Sequence, residues 1–219
     1  MNQSDTFQVA TQVRGRALLR RATESQAPLL VGFHGYGENA ERLLEAIVEI
    51  PGVSTWHVAS LQALHPFYNS KTGEVVASWM TKLDRELAIE DNIQYVARAL
   101  EQVEKRLEIE GPTVFLGFSQ GTAMAYRAAG SAGHACDGLI ALTGDAPAEI
   151  TDQSICVPSR VLIGRGTDDP WYDEAKMESD LARLQGRGIE VEVCVFEGGH
   201  EWTTEFRGAA RDFLRSLRS

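Results

Sequence analysis

Basic residues are scarce relative to acidic ones in this sequence. It holds 21 Lys and Arg against 31 Asp and Glu, which gives a formal net charge of -10. Binding to nucleic acids depends on clustered basic side chains that neutralise phosphates. We therefore expect no nucleic-acid partner and no tight attachment to an anionic membrane surface.

Long apolar runs are also missing. No stretch approaches the roughly 18–20 apolar residues of a membrane-spanning helix, so stable membrane insertion is not expected. Residues 1–13 have neither a basic start nor an apolar core, so we expect no signal peptide. We therefore predict a cytoplasmic location.

Cysteine is rare. The three cysteines, Cys136, Cys156 and Cys194, are widely spaced and lie in or beside apolar runs. An odd number with no regular spacing is not typical of a disulfide framework or a metal site. We predict that they are buried, reduced thiols.

No linker rich in proline, glycine or serine and no internal repeat divides the 219 residues, which predicts a single domain over residues 1–219. Short apolar runs alternate with segments of helical periodicity. This pattern predicts a three-layer α/β fold with a mostly parallel sheet, whose ligands gather at the carboxyl ends of the strands. The strand candidates are residues 7–13, 15–22, 28–35, 55–61, 113–119, 138–144, 159–166 and 190–196. The helix candidates are residues 39–50, 85–109, 120–129, 172–185 and 202–217, and Gly111-Pro112 is expected to end the second of them.

Residues 62–84 interrupt this alternation. The segment has no clear helical period and is rich in aromatic residues, and it also contains glycine and proline. A loop of this length is uncommon in a compact domain and is often a lid or a binding loop. We predict that it lines a substrate site; the alternative is a packed connection.

The sequence GFSQG places Ser119 between a strand candidate and a helix candidate. A serine at so sharp a turn needs neighbours without bulk two positions before and after it, and Gly117 and Gly121 satisfy this need. The turn also presents the backbone N–H of Gln120, at a helix N-terminus, to the oxyanion of an acyl-transfer intermediate. The alternative is a glycine-rich turn with a capping serine.

A serine nucleophile requires a base, and His200 is the best placed of the five histidines. It follows the last strand candidate in the loop EGGH, although a surface histidine is the alternative. His57 lies within an apolar strand and is expected in the core. His34 is expected to be structural, and His65 and His134 are compatible with ordinary surface positions.

A carboxylate is needed to orient the histidine. Asp168 and Asp169 both follow the strand candidate 159–166, Asp145 follows the preceding strand, and spacing alone does not choose among them. The order serine, aspartate, histidine is that of α/β-hydrolase triads. The second oxyanion donor is predicted to be the N–H of Tyr36, in the motif HGYG after an early strand.

Together, HGYGEN, LGFSQGTAMAYR, GRGTDDPWY and GGHEW resemble the small carboxylesterase/phospholipase group of α/β-hydrolases, which includes the acyl-protein thioesterases. The resemblance runs from Pro28 over nearly the whole chain. It implies an α/β-hydrolase fold with a sheet of about seven strands and no separate cap domain. The arrangement G-x-x-D in this family corresponds to Asp169, which makes Asp169 the expected triad acid.

The resemblance also implies that acyl groups lie against a tryptophan after an early strand, which here is Trp79. Phe67, Tyr68 and Trp171 are further candidates for the walls of the substrate site. No metal ion and no organic cofactor are implied.

The sequence therefore predicts a serine hydrolase that cleaves small carboxylic esters through an acyl-enzyme. Ser119 is the expected nucleophile, His200 the base and Asp169 its orienting acid. Such an enzyme becomes more active as pH rises and its histidine loses a proton. Alternatives are a thioesterase or lysophospholipase for longer acyl groups and a ligand-binding protein without turnover. The partner is a small-molecule ester, and a homodimer is left open.

Overall fold

A computed structural model describes residues 4–152 and 156–218. Seven strands form the main sheet in the spatial order β1-β3-β2-β6-β7-β8-β9, and only β1 is antiparallel to its neighbour. A separate hairpin pairs β4 with β5. In chain order the strands are β1 (Arg16–Arg20), β2 (Gln26–Phe33), β3 (His57–Gln62), β4 (His65–Tyr68), β5 (Val75–Ser78), β6 (Glu108–Phe118), β7 (Gly138–Leu142), β8 (Arg160–Gly166) and β9 (Glu190–Phe196).

Helices cover both faces of the main sheet. They are α1 (Ala40–Val48), α2 (Arg85–Glu104), α3 (Gln120–Ser131), α4 (Glu174–Gln185) and α5 (Thr204–Ser216). Side chains of α2, α3 and α4 belong to one buried apolar cluster, and those of α1 and α5 belong to another. The central strands are buried on both faces, as their uninterrupted apolar sequences predict. The three-layer α/β fold with about seven strands is confirmed.

Three helices begin where a polar side chain caps the first turn. Asn39, Asp173 and Thr203 each accept a hydrogen bond from the backbone N–H three residues later. This is the preferred way to satisfy the free N–H groups of a helix N-terminus. All five predicted helices are present, with ends that differ from the prediction by up to five residues.

Gly111-Pro112 was expected to end the second helix, and this prediction is wrong. The helix α2 ends at Glu104, and both residues lie inside β6. Gly111 has a φ of 99°, and the pairing of β2 with β6 shifts register between Ala27 and Leu29. Proline lacks an N–H donor and is tolerated in a strand at such an irregularity.

Two other predictions need correction. Residues 7–13 form no strand, and the side chains of Phe7, Val9 and Val13 are exposed. Alternation of apolar and polar residues permits a strand, but a strand also needs a partner edge. Among the described residues all cysteines are free, yet Cys156 is exposed rather than buried.

The segment 62–84 is not structureless, because it contains the hairpin of β4 and β5. None of the described helices is both long and apolar enough to span a membrane.

Candidate active site

Ser119 lies at the sharp turn between β6 and α3. Its backbone has φ 54° and ψ -121°, a strained conformation for a residue with a side chain. A Cβ atom on Gly117 would lie 2.4 Å from Thr122 Cα, and one on Gly121 would lie 2.0 Å from Phe33 O. The glycines are therefore required by the close approach of α3 to the ends of β2 and β6.

His200 and Asp169 meet although 31 residues separate them. The Nδ1 atom of His200 lies 2.9 Å from Asp169 Oδ2 and 3.1 Å from Oδ1. Because a carboxylate accepts, Nδ1 carries the proton and Nε2 is left as the basic atom. The Asp169 side chain is fully buried, and its Oδ1 also accepts the N–H groups of Trp171 and Tyr172 at 2.8 and 3.0 Å.

The other candidate acids lie elsewhere. Asp168 is exposed, and Asp145 is also exposed and pairs with Lys176 at 3.5 Å. Of the three aspartates, Asp169 is the one hydrogen-bonded to His200.

Phe118, the residue before Ser119, packs against His200. The ring of Phe118 lies 5.2 Å from the imidazole of His200, centroid to centroid, and 5.9 Å from the ring of Trp202. Within the described part of the chain, no hydrogen bond joins the Ser119 hydroxyl to His200. The structure thus brings acid and histidine into contact, and it packs the residue before Ser119 against that histidine.

The loop after β2 lies next to Ser119. A Cβ atom added to Gly35 would be 3.2 Å from Ser119 Cβ, so a side chain there would crowd the serine. No backbone acceptor within the described residues takes the N–H of Tyr36. The N–H of Gln120 is the first of α3 and has no partner inside the helix. Both predicted oxyanion donors are therefore available.

Glu38 is a residue of this site that the sequence prediction missed. Its Oε2 accepts the N–H of Gly35 at 2.8 Å, and burial raises the pKa of its carboxyl above the ordinary value. The nearby charge of His200 acts in the opposite direction, which places the two groups within electrostatic reach. The signal was present, since Glu38 directly follows the glycine turn of HGYG.

The hairpin holds the same loop by backbone hydrogen bonds. The N–H of Gly37 donates to Ala77 O at 3.0 Å, and the N–H of Ala77 donates to Glu38 O at 2.7 Å. The strand β5 is thus fixed to the candidate oxyanion loop.

His34 is structural, as predicted. Its ring is fully buried, with Nδ1 donating to Gly35 O at 2.7 Å and Nε2 accepting the N–H of Ala63 at 3.0 Å. This arrangement requires the neutral ring. Burial correspondingly lowers the pKa of His34 to about 4.

The side chain of Gln120 has a second role that the sequence did not reveal. Its Oε1 accepts the N–H of Trp79 at 2.9 Å, and its Nε2 donates to Met80 O at 2.9 Å. The residue that presents a backbone N–H beside Ser119 therefore also fixes the chain that follows β5.

A cavity of about 400 Å³ opens beside Ser119. Trp171 lines it and is 69% exposed. Trp79 does not line it, since its side chain is fully buried and its Nε1 donates to His34 O at 2.8 Å. Phe67 and Tyr68 lie on the hairpin outside this cavity, and the Phe67 ring is 5.5 Å from that of Tyr36. The predicted segment 62–84 contributes Met80, Thr81 and Lys82 to the lining.

The remaining histidines lie outside the site. His57 is buried, and its Nδ1 accepts the N–H of Ala22 at 3.0 Å, which confirms the predicted core position. His65 lies on the exposed strand β4, and His134 pairs with Glu104 at 2.8 Å. A second cavity, of about 730 Å³, lies between residues 10–19 and α2 and contains no predicted site residue. The described residues hold no cluster of three His, Cys, Asp or Glu suited to a metal ion.

Similar proteins were identified at the level of families and of solved structures. The family model described as phospholipase/carboxylesterase matches residues 17–218. Esterase PE8 superposes with a TM-score of 0.78 at 22% identity, over 94% of this chain and 100% of that protein. The Zea mays acyl-protein thioesterase 2 superposes with a TM-score of 0.74 at 18% identity, over 94% of this chain and 100% of that protein. The Bacillus cereus carboxylesterase superposes with a TM-score of 0.73 at 18% identity, over 93% of this chain and 94% of that protein. No curated protein sequence matches the chain. Since the family model covers nearly the whole α/β-hydrolase sheet together with its strand-end loops, the chain belongs to the phospholipase/carboxylesterase family.

Proposed function

We propose that this family hydrolase is a serine carboxylesterase that cleaves small carboxylic esters through an acyl-enzyme. The observation that carries the proposal is the hydrogen bond between His200 Nδ1 and the buried carboxylate of Asp169, next to a strained serine. A buried acid that fixes the histidine tautomer has no use in a simple structural turn.

In the proposed reaction the Ser119 hydroxyl attacks the ester carbonyl carbon. His200 Nε2 takes the hydroxyl proton as the new bond between oxygen and carbon forms, and Asp169 stabilises the imidazolium. The imidazolium then gives the proton to the alcohol oxygen as the ester bond breaks. Water, activated by the same histidine, releases the acid from Ser119.

The negative charge on the carbonyl oxygen of the intermediate needs donors that are already in place. The backbone N–H groups of Tyr36 and Gln120 are proposed for this role, because neither has a partner in its own loop or helix. The positive end of α3 adds to the stabilisation at Gln120.

Thioester or lysophospholipid cleavage is the alternative within the same family. The similarity to an acyl-protein thioesterase from Zea mays supports it. A cavity of about 400 Å³ lies at the lower end of the range for ligand pockets, which is compatible with small acyl groups. Initial rates on a series of esters and thioesters graded in acyl length will separate the two.

A fluorophosphonate probe tests the nucleophile. We expect the wild type and Ser70→Ala, a control at an exposed serine, to be labelled, and Ser119→Ala to remain unlabelled. If the wild type takes no label, the protein is a ligand-binding member of the fold and the proposal fails. Three expectations remain predictions: the single domain, the cytoplasmic location and the lack of a nucleic-acid partner. A homodimer stays open.

A further inference from the structure

Three cationic side chains line the cavity beside Ser119, although the whole chain has a net charge of -10. They are Lys82, Arg85 and Arg127. The only acidic side chain in the lining is Asp145, and it is paired with Lys176. The lining therefore holds three cations and one acid, with Lys82 and Arg85 on the wall formed by the start of α2 and the segment before it, where Asp84 and Glu86 also lie.

Arg127 lies beneath this wall. It projects from α3, is 4% exposed and donates through Nε to Glu149 Oε1 at 2.6 Å. Its Nη1 contacts Met80 Sδ at 3.5 Å, and its Nη2 is buried without a hydrogen-bond partner in the described chain. A buried guanidinium with an unsatisfied donor is costly, because its desolvation is only partly compensated.

Lys82 and Arg85 lie at the rim and are exposed. Neither forms an ion pair with any residue that the structure describes. Arg85 is the first residue of α2, whose N-cap residue Asp84 has φ 45° and makes no side-chain capping bond. A cation is electrostatically unfavourable at the positive end of a helix, and the acids that flank Arg85 there, Asp84 and Glu86, form no ion pair with it in the part of the chain that the structure describes.

We propose that the ester substrate carries an anionic group, a carboxylate or a phosphate, that binds between Lys82, Arg85 and the buried charge of Arg127. This inference rests on the proposed esterase function and names the substrate class. An anion at this position satisfies the rim cations and the positive end of α2 together. It also explains why three cations line this cavity in an acidic protein.

Matched esters test the substrate class. The para-nitrophenyl hemiester of glutaric acid is compared with the corresponding ester of glutaramic acid, which has the same length and a neutral amide. A second pair, para-butanoyloxybenzoate and para-butanoyloxybenzamide, places the charge on the alcohol side. In one pair at least, we expect kcat/KM to be roughly tenfold higher for the charged ester at low salt. The preferred pair identifies the side of the scissile bond that faces the basic wall.

The double variant Lys82→Gln/Arg85→Gln is expected to lower that preference by roughly tenfold, about threefold for each charge removed. Lys105→Gln serves as the control, because it removes a cation at the opposite end of α2. The control should keep the preference of the wild type. About 0.5 M salt should weaken the preference in the wild type and have little effect on the double variant.

The proposal is overturned if the wild type hydrolyses charged and neutral esters equally well, or if the preference survives in the double variant. A failure of the esterase function itself is seen separately, as an absence of fluorophosphonate labelling and of turnover. In that case calorimetric binding of the hemiester and the amide to Ser119→Ala, with and without the two rim substitutions, still decides whether the anion site exists.

Discussion

Ser119, Asp169 and His200 follow strands of the main sheet. By contrast, residues 34–38 and 62–85 are held in place by a small hairpin and by buried side chains. We call the first group the strand-end side and residues 34–38 together with 62–85 the hairpin side. On the strand-end side the backbone itself makes the connections: Ser119 N–H donates to Leu142 O at 2.9 Å, and Asp168 N–H donates to Gly198 O at 2.8 Å.

On the hairpin side, buried side chains add to the backbone bonds between the hairpin and the loop after β2. The ring of His34 joins the loop after β2 to Ala63, and the indole N–H of Trp79 donates to His34 O. Asn92 Nδ2 donates to Trp79 O at 2.7 Å. The comparison indicates that the main sheet positions Ser119, Asp169 and His200. Particular side chains of this protein position the wall of the proposed substrate site.

The largest effect is expected on the strand-end side. Asp169→Asn keeps the size of the side chain but no longer fixes the Nδ1–H tautomer of His200, and kcat for an ester should fall by roughly ten-thousandfold. Steady-state kinetics measure it. Asp168→Asn is the control at the exposed neighbour and should keep the kcat of the wild type. Equal losses in both variants would contradict the role of Asp169.

The contact between the two sides is tested next. In Gly121→Ala the new Cβ lies 2.0 Å from Phe33 O and 2.7 Å from His34 O, the latter on the hairpin side, so α3 must move away from the end of β2. We expect a loss of about 3 kcal/mol in the free energy of unfolding, measured with urea. Gly208→Ala, in α5 with no neighbour near its Cβ, should be more stable than the wild type by up to about 1 kcal/mol. A Gly121→Ala protein as stable as the wild type would be inconsistent with this packing.

On the hairpin side, His34 makes stability depend on pH. Its pKa is about 4 in the folded protein against 6.5 for the free residue, so the unfolded chain takes up the proton first. This contribution to stability is present above pH 6.5 and is lost as pH falls towards 4. Between pH 7 and 5 it should decrease by about 2 kcal/mol.

The measurement for His34 is urea unfolding at both pH values, with His34→Gln as the comparison. The variant lacks the titrating ring, so its stability should depend less steeply on pH. Parallel pH profiles for the two proteins would show that His34 does not carry the effect.

The smallest effect is expected at Glu38, where the hairpin side meets the histidine. Glu38→Gln keeps an oxygen acceptor for Gly35 N–H but removes the charge that favours the imidazolium, and kcat should fall by roughly tenfold with KM little changed. Glu45→Gln, an exposed position on α1, is the matched control and should behave as the wild type. A rise in KM alone would assign Glu38 to substrate binding.

The difference between the two sides also explains what could be predicted from the sequence. The apolar runs of β6, β8 and β9 predicted where Ser119, Asp169 and His200 lie, because residues after parallel strands meet at one edge of a sheet. Local periodicity is enough to place residues at strand ends, whereas the choice of Asp169 over Asp168 and Asp145 came from the family resemblance.

Tertiary contacts determine the rest, and the local pattern does not record them. Residues 7–13 alternate like a strand but find no partner edge, and β5 forms against Glu38, which lies 39 residues before Ala77. Trp79 was expected against the acyl group because of the family resemblance, yet its indole N–H finds an acceptor in the core. The sequence does not indicate that Arg127 is buried, because an arginine on a helix often faces solvent.

The side-chain amide of Gln120 accepts from the Ser78 hydroxyl and the Trp79 N–H and donates to the Met80 carbonyl, so none of its contacts lies beyond Met80. Residues 81–85 can therefore be exchanged for those of a relative without disturbing this anchor, provided that the backbone at 79–80 keeps its course. The chain between Met80 and α2 thus offers a replaceable module for altering substrate choice in a scaffold that keeps its reactive groups.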